Sequence, residues 1–384
     1  MSSSFIMPKQ IISGAGALKQ AEGSMAGLGK KALVVTDEVM IRLGNLAHVE
    51  EALKSCGVQY AVYSGISGEP TDIMIAEGLD IYKREGCDFL VALGGGSPID
   101  SMKAIGALVG NGGVITDYLG KVFEKEVPPM IAVPTTAGTG SEATQFTIIT
   151  DTGRDIKMLL KGAVLMPTLA IIDPQFTMTA PPAITAATGL DALTHAVEAY
   201  TSRKAQPLSD VFALSAVKRI FSWLPEAFRH GDNVQAREEM SLAALEAGIA
   251  FNNASVTIVH GMSRPIGALF HVPHGISNAM LLEKCLSYVL DGAYERFGRL
   301  GREIGVAAPG TGDREASESF LKAVVDICRT CEIPTLREYG IEKESYTKVI
   351  DKMSEDAMAS GSPSNTRKEI SLEDVRAIYA GLYE

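Results

Sequence analysis

The run Phe89–Leu93 followed at once by Gly94-Gly95-Gly96-Ser97-Pro98-Ile99-Asp100 constrains this chain more than any other feature. An uninterrupted apolar stretch of five residues fits a strand buried on both faces, as in a parallel sheet. Three glycines then let the backbone bend and approach a ligand closely. Ser97 reads as the N-cap of the next helix, Pro98 as its first residue and Asp100 as the partner in a capping box. A helix N-terminus at the carboxyl end of a parallel strand is an anion site suited to a phosphate. The full dinucleotide fingerprint G-x-G-x-x-G is absent, because position 99 is isoleucine.

The surroundings repeat the same alternation. Short β-rich runs at Lys31–Val35, Tyr60–Tyr63, Met130–Val133 and Leu169–Ile172 are separated by amphipathic stretches such as Leu46–Cys56 and Met74–Glu85. That pattern predicts a doubly wound α/β domain. Beyond Pro181-Pro182 the strands fade and 3.6-residue periods take over, at Ala183–Thr201, Pro207–Phe228, Asn233–Asn252 and Ala316–Thr330. The expected organisation is therefore an α/β unit with a parallel sheet over residues 1–180 and an all-α unit over 181–384.

Two further places complete a nucleotide site. The loop Pro134–Glu142 follows the Met130–Val133 strand and carries Thr135, Thr136, Thr139, Ser141 and two glycines, a lining suited to a ribose and a pyrophosphate. Alone it could be only a solvated connection, but its pairing with the Gly94–Asp100 turn favours the nucleotide reading. Asp37, at the end of Lys31–Val35, can accept hydrogen bonds from a ribose 2′-hydroxyl and repel a 2′-phosphate, which favours NAD over NADP; it also reads as a helix N-cap. Phe146 adds an aromatic face just after the loop, so the candidate cofactor set is Asp37, Gly94, Gly95, Gly96, Ser97, Asp100, Thr135, Thr136, Thr139, Ser141 and Phe146.

The helical half holds a different chemistry. Asp191 and His195 are four residues apart on one apolar helix and so share a face. His260, His271 and His274 fall in one short segment. A carboxylate with imidazoles suits Fe(II), Zn(II), Co(II) or Mn(II), and no cysteine lies nearby to bias the set towards zinc. His48 and His230 stand alone among polar residues and read as surface histidines. Cys328 and Cys331 form a single CxxC without a second pair; two small residues on an apolar helix explain it better than a redox or zinc site.

These residues, in this order, resemble the iron-containing (group III) alcohol dehydrogenases across nearly the whole chain. The resemblance rests on Gly94–Asp100, Thr135–Glu142, Asp191-x-x-x-His195 after Ala187-Thr188-Gly189, and the segments around His260 and His274. It implies a Rossmann-like N-terminal domain, a helical C-terminal domain and an active site in the cleft between them. It implies that Asp191, His195, His260 and His274 bind the metal, Fe2+ with Zn2+, Co2+ or Mn2+ as alternatives. Asp37, Gly95, Gly96, Ser97, Thr135, Thr136, Thr139 and Lys157 would line the NAD site. The implied reaction is hydride transfer between NAD and a small alcohol or aldehyde, in a homodimer or larger homo-oligomer.

The chain departs from the family at two places. Relatives often carry a proton-relaying histidine four residues after the first histidine of this segment; here it is Arg264, which stays protonated and cannot act as a base. His271 is the substitute candidate, so the catalytic pair read from sequence is His271 and Arg264. Arg264 either pairs with an acidic neighbour or the cofactor, or binds a carboxylate, phosphonate or sulfonate on the substrate. Glu69 replaces a neutral residue near the expected adenosine. A phosphate-substrate enzyme of the dehydroquinate-synthase or polyol-phosphate type would need more basic residues, and a dinucleotide sensor would need no metal.

Charge and cysteines bound the rest. A formal net charge of −11 disfavours nucleic acid as a partner. No apolar run is long enough to span a bilayer, no signal peptide is visible, and five scattered cysteines suit a reducing cytoplasm.

Overall fold

The computed structural model describes residues 2–383. The chain divides into an α/β unit, Ile6–Ala180, and a helical unit from Pro181 onward that also takes in the residues up to Phe5. Phe5 joins the helical unit by stacking on Phe212, with ring centroids 5.9 Å apart.

The α/β unit is built on a six-stranded parallel sheet. In chain order its strands are β1 (Gln10–Ser13), β2 (Lys31–Val35), β3 (Gln59–Tyr63), β4 (Phe89–Gly94), β5 (Met130–Pro134) and, after an antiparallel hairpin of β6 (Phe146–Asp151) and β7 (Ile156–Lys161), β8 (Leu169–Ile172). Their order across the sheet is β1-β8-β5-β4-β2-β3. β4 is buried along its whole length, which is why its sequence is apolar without alternation. Alternate residues feed two cores: Leu33, Val35, Leu90 and Ala92 on one face, Ala32, Val34, Val91 and Leu93 on the other. Strand order reverses direction between β2 and β4, the place where doubly wound sheets open a crevice at their carboxyl ends.

The five strands expected from sequence are all present within a residue or two. β1 and the β6–β7 hairpin were not expected. The hairpin buries Ile149, Met158 and Leu160 but exposes Ile148, Ile156 and Leu159, so its sequence lacks the apolar–polar alternation that marks a half-buried strand.

In the helical unit, Pro182–Thr201, Pro207–Arg229, Val234–Ala254, Ile258–Phe270 and His274–Val289 form the core assembly. Pro182 sits at the first helical position, where its missing N–H costs nothing. The Pro182–Thr201 helix is buried on nearly every side. No single helix among the described residues is long and apolar enough to cross a membrane. Cys328 and Cys331 are free thiols whose pKa values burial pushes up to about 12, consistent with packing residues.

The Pro182–Thr201 and His274–Val289 helices meet at Gly275, where a Cβ would collide with the Ala187 carbonyl oxygen. The obstacle is backbone and cannot swing aside. Gly275→Ala is therefore expected to destabilise the protein by about 1–3 kcal/mol despite its better helix propensity. Because the first of these helices carries Asp191 and the second His274, metal affinity should fall as well. Denaturant unfolding and metal titration of the variant check both.

Candidate metal centre and nucleotide site

Three helices of the helical unit bring the candidate ligands together. Asp191 and His195 lie one turn apart on Pro182–Thr201, His260 is near the start of Ile258–Phe270, and His274 opens His274–Val289. Asp191 Oδ1 is the hub. It lies 3.7 Å from His260 Nε2, 3.7 Å from His274 Nε2 and 4.0 Å from His195 Nδ1. Asp191, His195 and His260 are buried, while His274 is half-exposed. His195 is clamped between the rings of Phe251 and His260, at centroid distances of 4.1 and 4.4 Å.

His195 Nδ1 is buried and, among the described residues, has no hydrogen-bond partner. The Asn278 amide nitrogen donates to Asp191 Oδ1 at 2.7 Å and lies 3.2 and 3.3 Å from His260 Nε2 and His274 Nε2. An amide has two protons, and three atoms able to accept surround this one. Two ligand bonds of about 2.1 Å can span up to about 4.2 Å, so a single cation bridges gaps of this size where a hydrogen bond does not. Asp191, His195 and His260 each offer a ligand atom, all within 4.8 Å of one another, and the half-exposed His274 Nε2 lies 3.7 Å from Asp191 Oδ1, so the set fits a divalent transition metal with His274 as its fourth donor.

The electrostatics prepare the same ligands. Burial holds His195 neutral, with a pKa of about 3, and keeps its lone pair available. Burial also opposes ionisation of Asp191, but the three imidazoles outweigh it and hold the carboxylate well below its usual range.

Glu198, one turn beyond His195, was not singled out by the sequence. Its carboxylate is fully buried and accepts from Thr257 Oγ1 at 2.7 Å, Val259 N at 2.6 Å and His260 Nδ1 at 2.5 Å. A carboxylate accepts, so the His260 proton sits on Nδ1 and the Nε2 lone pair faces Asp191. The spacing Asp191, His195, Glu198 follows one helical face, which was the available signal. Asn278, four residues after His274, was missed in the same way.

His271 stands apart from the cluster, whereas Arg264 lies on the helix that carries His260. His271 is exposed, with φ 53°, as the residue that ends the Ile258–Phe270 helix, and among the described residues no side-chain hydrogen bond or ring contact joins it to the cluster. The helix breaks between Phe270 and His274, so three residues of separation do not place the two on one helical face. Arg264 lies one turn past His260 and donates to Ser362 Oγ at 3.4 Å.

In the α/β unit, the turn after β4 differs from the expected capping box. Gly95, not Ser97, is the N-cap, and the Gly96–Asn111 helix begins one residue later. The helix start thus carries no capping side chain, which leaves its N–H groups open. Asp100 points elsewhere: it accepts from Ser141 Oγ at 2.6 Å and Ile148 N at 2.8 Å. Beside it lies Lys103, fully buried, whose Nζ reaches Ser141 O, Ser141 Oγ, Thr144 Oγ1 and Phe146 O at 2.6–3.0 Å. Asp100, Ser141 and the Phe146 carbonyl therefore form a buried tie with Lys103 between the two loops. The glycines complete the join, for a Cβ on Gly95 would lie 3.3 Å from Thr136 Oγ1 and one on Gly96 3.1 Å from Thr139 Cγ2. Thr135 is buried behind them, its N–H donating to the Gly94 carbonyl.

A groove of about 670 Å³ opens at the ends of β2, β3 and β4, lined by residues including Asp37, Arg42, Ser64, Gly95, Gly96 and Ser97. Asp37 accepts from Met40 N through Oδ1, so it caps a helix and also faces the groove. Lys157 is ion-paired with Glu69 at 2.6 Å, joining two residues that the sequence suggested separately.

Glu142 is buried next to this tie, and burial pushes its carboxyl up to about 7 from 4.5. Between those values the folded state holds more protons than the unfolded one, so this group lowers stability as pH rises from 4.5 to 7. In Glu142→Gln that contribution is absent, and its melting temperature relative to the native protein should climb across the window. For Glu198→Gln, metal affinity should drop about 10–100-fold, as for other partners of ligating histidines. Cobalt titration followed by its visible absorption measures it.

Comparison with known proteins agrees with this geometry. The family described as iron-containing alcohol dehydrogenase matches residues 8–174, and its C-terminal counterpart matches 185–383. NAD-dependent methanol dehydrogenase of Bacillus methanolicus is 37% identical over 94% of this chain and 96% of its own length. Lactaldehyde reductase of Escherichia coli strain K12 is 36% identical over 91% of each. The crystal structure of a 1,3-propanediol oxidoreductase matches with a TM-score of 0.95 at 34% identity over the whole of both chains. The chain belongs to the iron-containing alcohol dehydrogenase family, the oxidoreductases that interconvert alcohols and aldehydes.

Proposed function

We propose that this protein interconverts a small alcohol and its aldehyde with NAD(H), at a ferrous or similar divalent ion held by Asp191, His195, His260 and His274. The observation that carries the reading is the convergence of three imidazoles on Asp191 Oδ1, with a buried His195 nitrogen left unpaired. Relatives named for methanol, 1,3-propanediol and lactaldehyde support small, short-chain substrates.

When bound, the metal supplies Lewis acidity to the substrate oxygen and the nicotinamide gives or takes the hydride. The protein's part is alignment. Glu198 holds the His260 proton at Nδ1 and so keeps Nε2 directed at the site. Phe251 and His260 fix the His195 ring between them. Asn278 orients the Asp191 carboxylate. In the α/β unit the open N–H groups after β4 suit the pyrophosphate, and Asp37 suits the ribose hydroxyls, which favours NAD. The buried Lys103 tie keeps the threonine loop against that turn.

Anaerobically iron-loaded protein should oxidise NADH with short aldehydes, and a chelator should abolish the turnover. His274→Ala is expected to lose bound metal and at least about 100-fold of kcat/KM together, roughly the loss of about 3 kcal/mol of transition-state stabilisation. An active, metal-free variant would sink the assignment.

A further inference from the structure

Arg264 has no role in the alignment just described, yet its placement is costly. It lies on the same helix as His260, one turn later and so on the same face. Long helical side chains lean back towards the helix start, which aims the guanidinium at the His260 layer. Its contact lies at that level of the helix: Ser362, the acceptor at 3.4 Å, packs beside Gly261, the residue after His260. That bond is at the limit of hydrogen-bond length, and a guanidinium has five donors.

No carboxylate among the described residues lies within 4.0 Å of Arg264, although ion pairs are common elsewhere in this unit, as at Arg219 and Arg296. Burial depresses the guanidinium, and Glu198 is the charged side chain that opposes this. Yet both oxygens of Glu198 are already engaged by Thr257, Val259 and His260. Among the described residues no other carboxylate is in reach, so the guanidinium keeps its positive charge without an ion-pair partner, one helical turn from His260. A partly buried cation with spare, fork-like donors is a receptor for one planar or tetrahedral oxyanion.

We propose that Arg264 is a specificity-determining residue that binds an anionic group on the substrate, so that the preferred substrate is a short aldehyde or alcohol bearing one carboxylate or sulfonate. The proposal rests on the alcohol dehydrogenase reading and narrows its substrate class.

Succinic semialdehyde and its methyl ester test it, because they share a skeleton and differ in charge. Iron-loaded native enzyme should favour the acid over the ester by at least about tenfold in kcat/KM, a difference of about 1.4 kcal/mol. Arg264→Met should lose that preference, chiefly through KM, and Arg264→Lys should keep an intermediate one because it retains the charge without the fork. Calorimetric titration of 4-hydroxybutyrate gives an independent readout, with Kd rising at least about tenfold in Arg264→Met. NADH affinity, read by fluorescence, separates a substrate contact from a cofactor contact. Equal use of acid and ester by the native enzyme overturns the proposal, as does a preference that survives in both variants, or a loss confined to NADH affinity. If the native enzyme reduces short neutral aldehydes but neither of these two, and 4-hydroxybutyrate does not bind, the proposal is overturned while the dehydrogenase reading stands; if it reduces no aldehyde at all, the dehydrogenase reading fails, and the 4-hydroxybutyrate titration still decides whether Arg264 holds an anion. If Arg264→Met does not fold, Arg264→Lys carries the comparison.

Discussion

The structure of the helical unit depends on keeping two carboxylates, Asp191 and Glu198, out of water. Neither has a lysine or arginine in ion-pair contact, and an unpaired buried carboxylate is strongly destabilising. Hydrogen-bond donors from imidazole, hydroxyl, amide and backbone groups stand where such cations would. Glu198 is neutralised through His260 and two further donors, while Asp191 gathers three histidines and an amide. Every ligand-bearing helix is consequently locked to its neighbours by polar contacts as well as apolar packing. The backbone contact at Gly275 allows His274 to reach the same hub.

A comparable economy governs the α/β unit. The turn after β4 keeps its N–H groups open, which denies the helix start a capping side chain. The order lost there is restored from behind. Lys103 is buried on the next turn of that helix and gathers acceptors from the following loop and from β6. An ammonium ion in that position costs desolvation, visible in its pKa falling to about 8, and Asp100 and Glu142 partly offset it.

Much of this was legible in the residues. Apolar runs marked the central strands, and period 3.6 marked the long helices, because burial on both faces and burial on one stripe leave different patterns. Asp191, His195, His260 and His274 stood out because their chemistry is uncommon in apolar segments. The hairpin Phe146–Lys161 was missed because both of its faces carry apolar side chains. Glu198, Lys103 and Asn278 were missed for another reason: each looks like an ordinary polar residue until its burial and partners are known. His271 looked like part of the site by proximity in sequence, but the helix break after Phe270 sets it apart.

By itself the sequence determined the two-part architecture, the glycine-rich strand-to-helix turn after β4 and the identity of the four metal-ligand candidates. Those follow from periodicity, glycine placement and side-chain chemistry, which are local properties. Tertiary structure alone decided that His195 Nδ1 is buried with no partner among the described residues, that Glu198 accepts from His260 Nδ1, that Asp100 and Ser141 serve Lys103, and that no described carboxylate pairs with Arg264. These depend on distances between segments dozens of residues apart and on the removal of water, neither of which is written in any single stretch of chain.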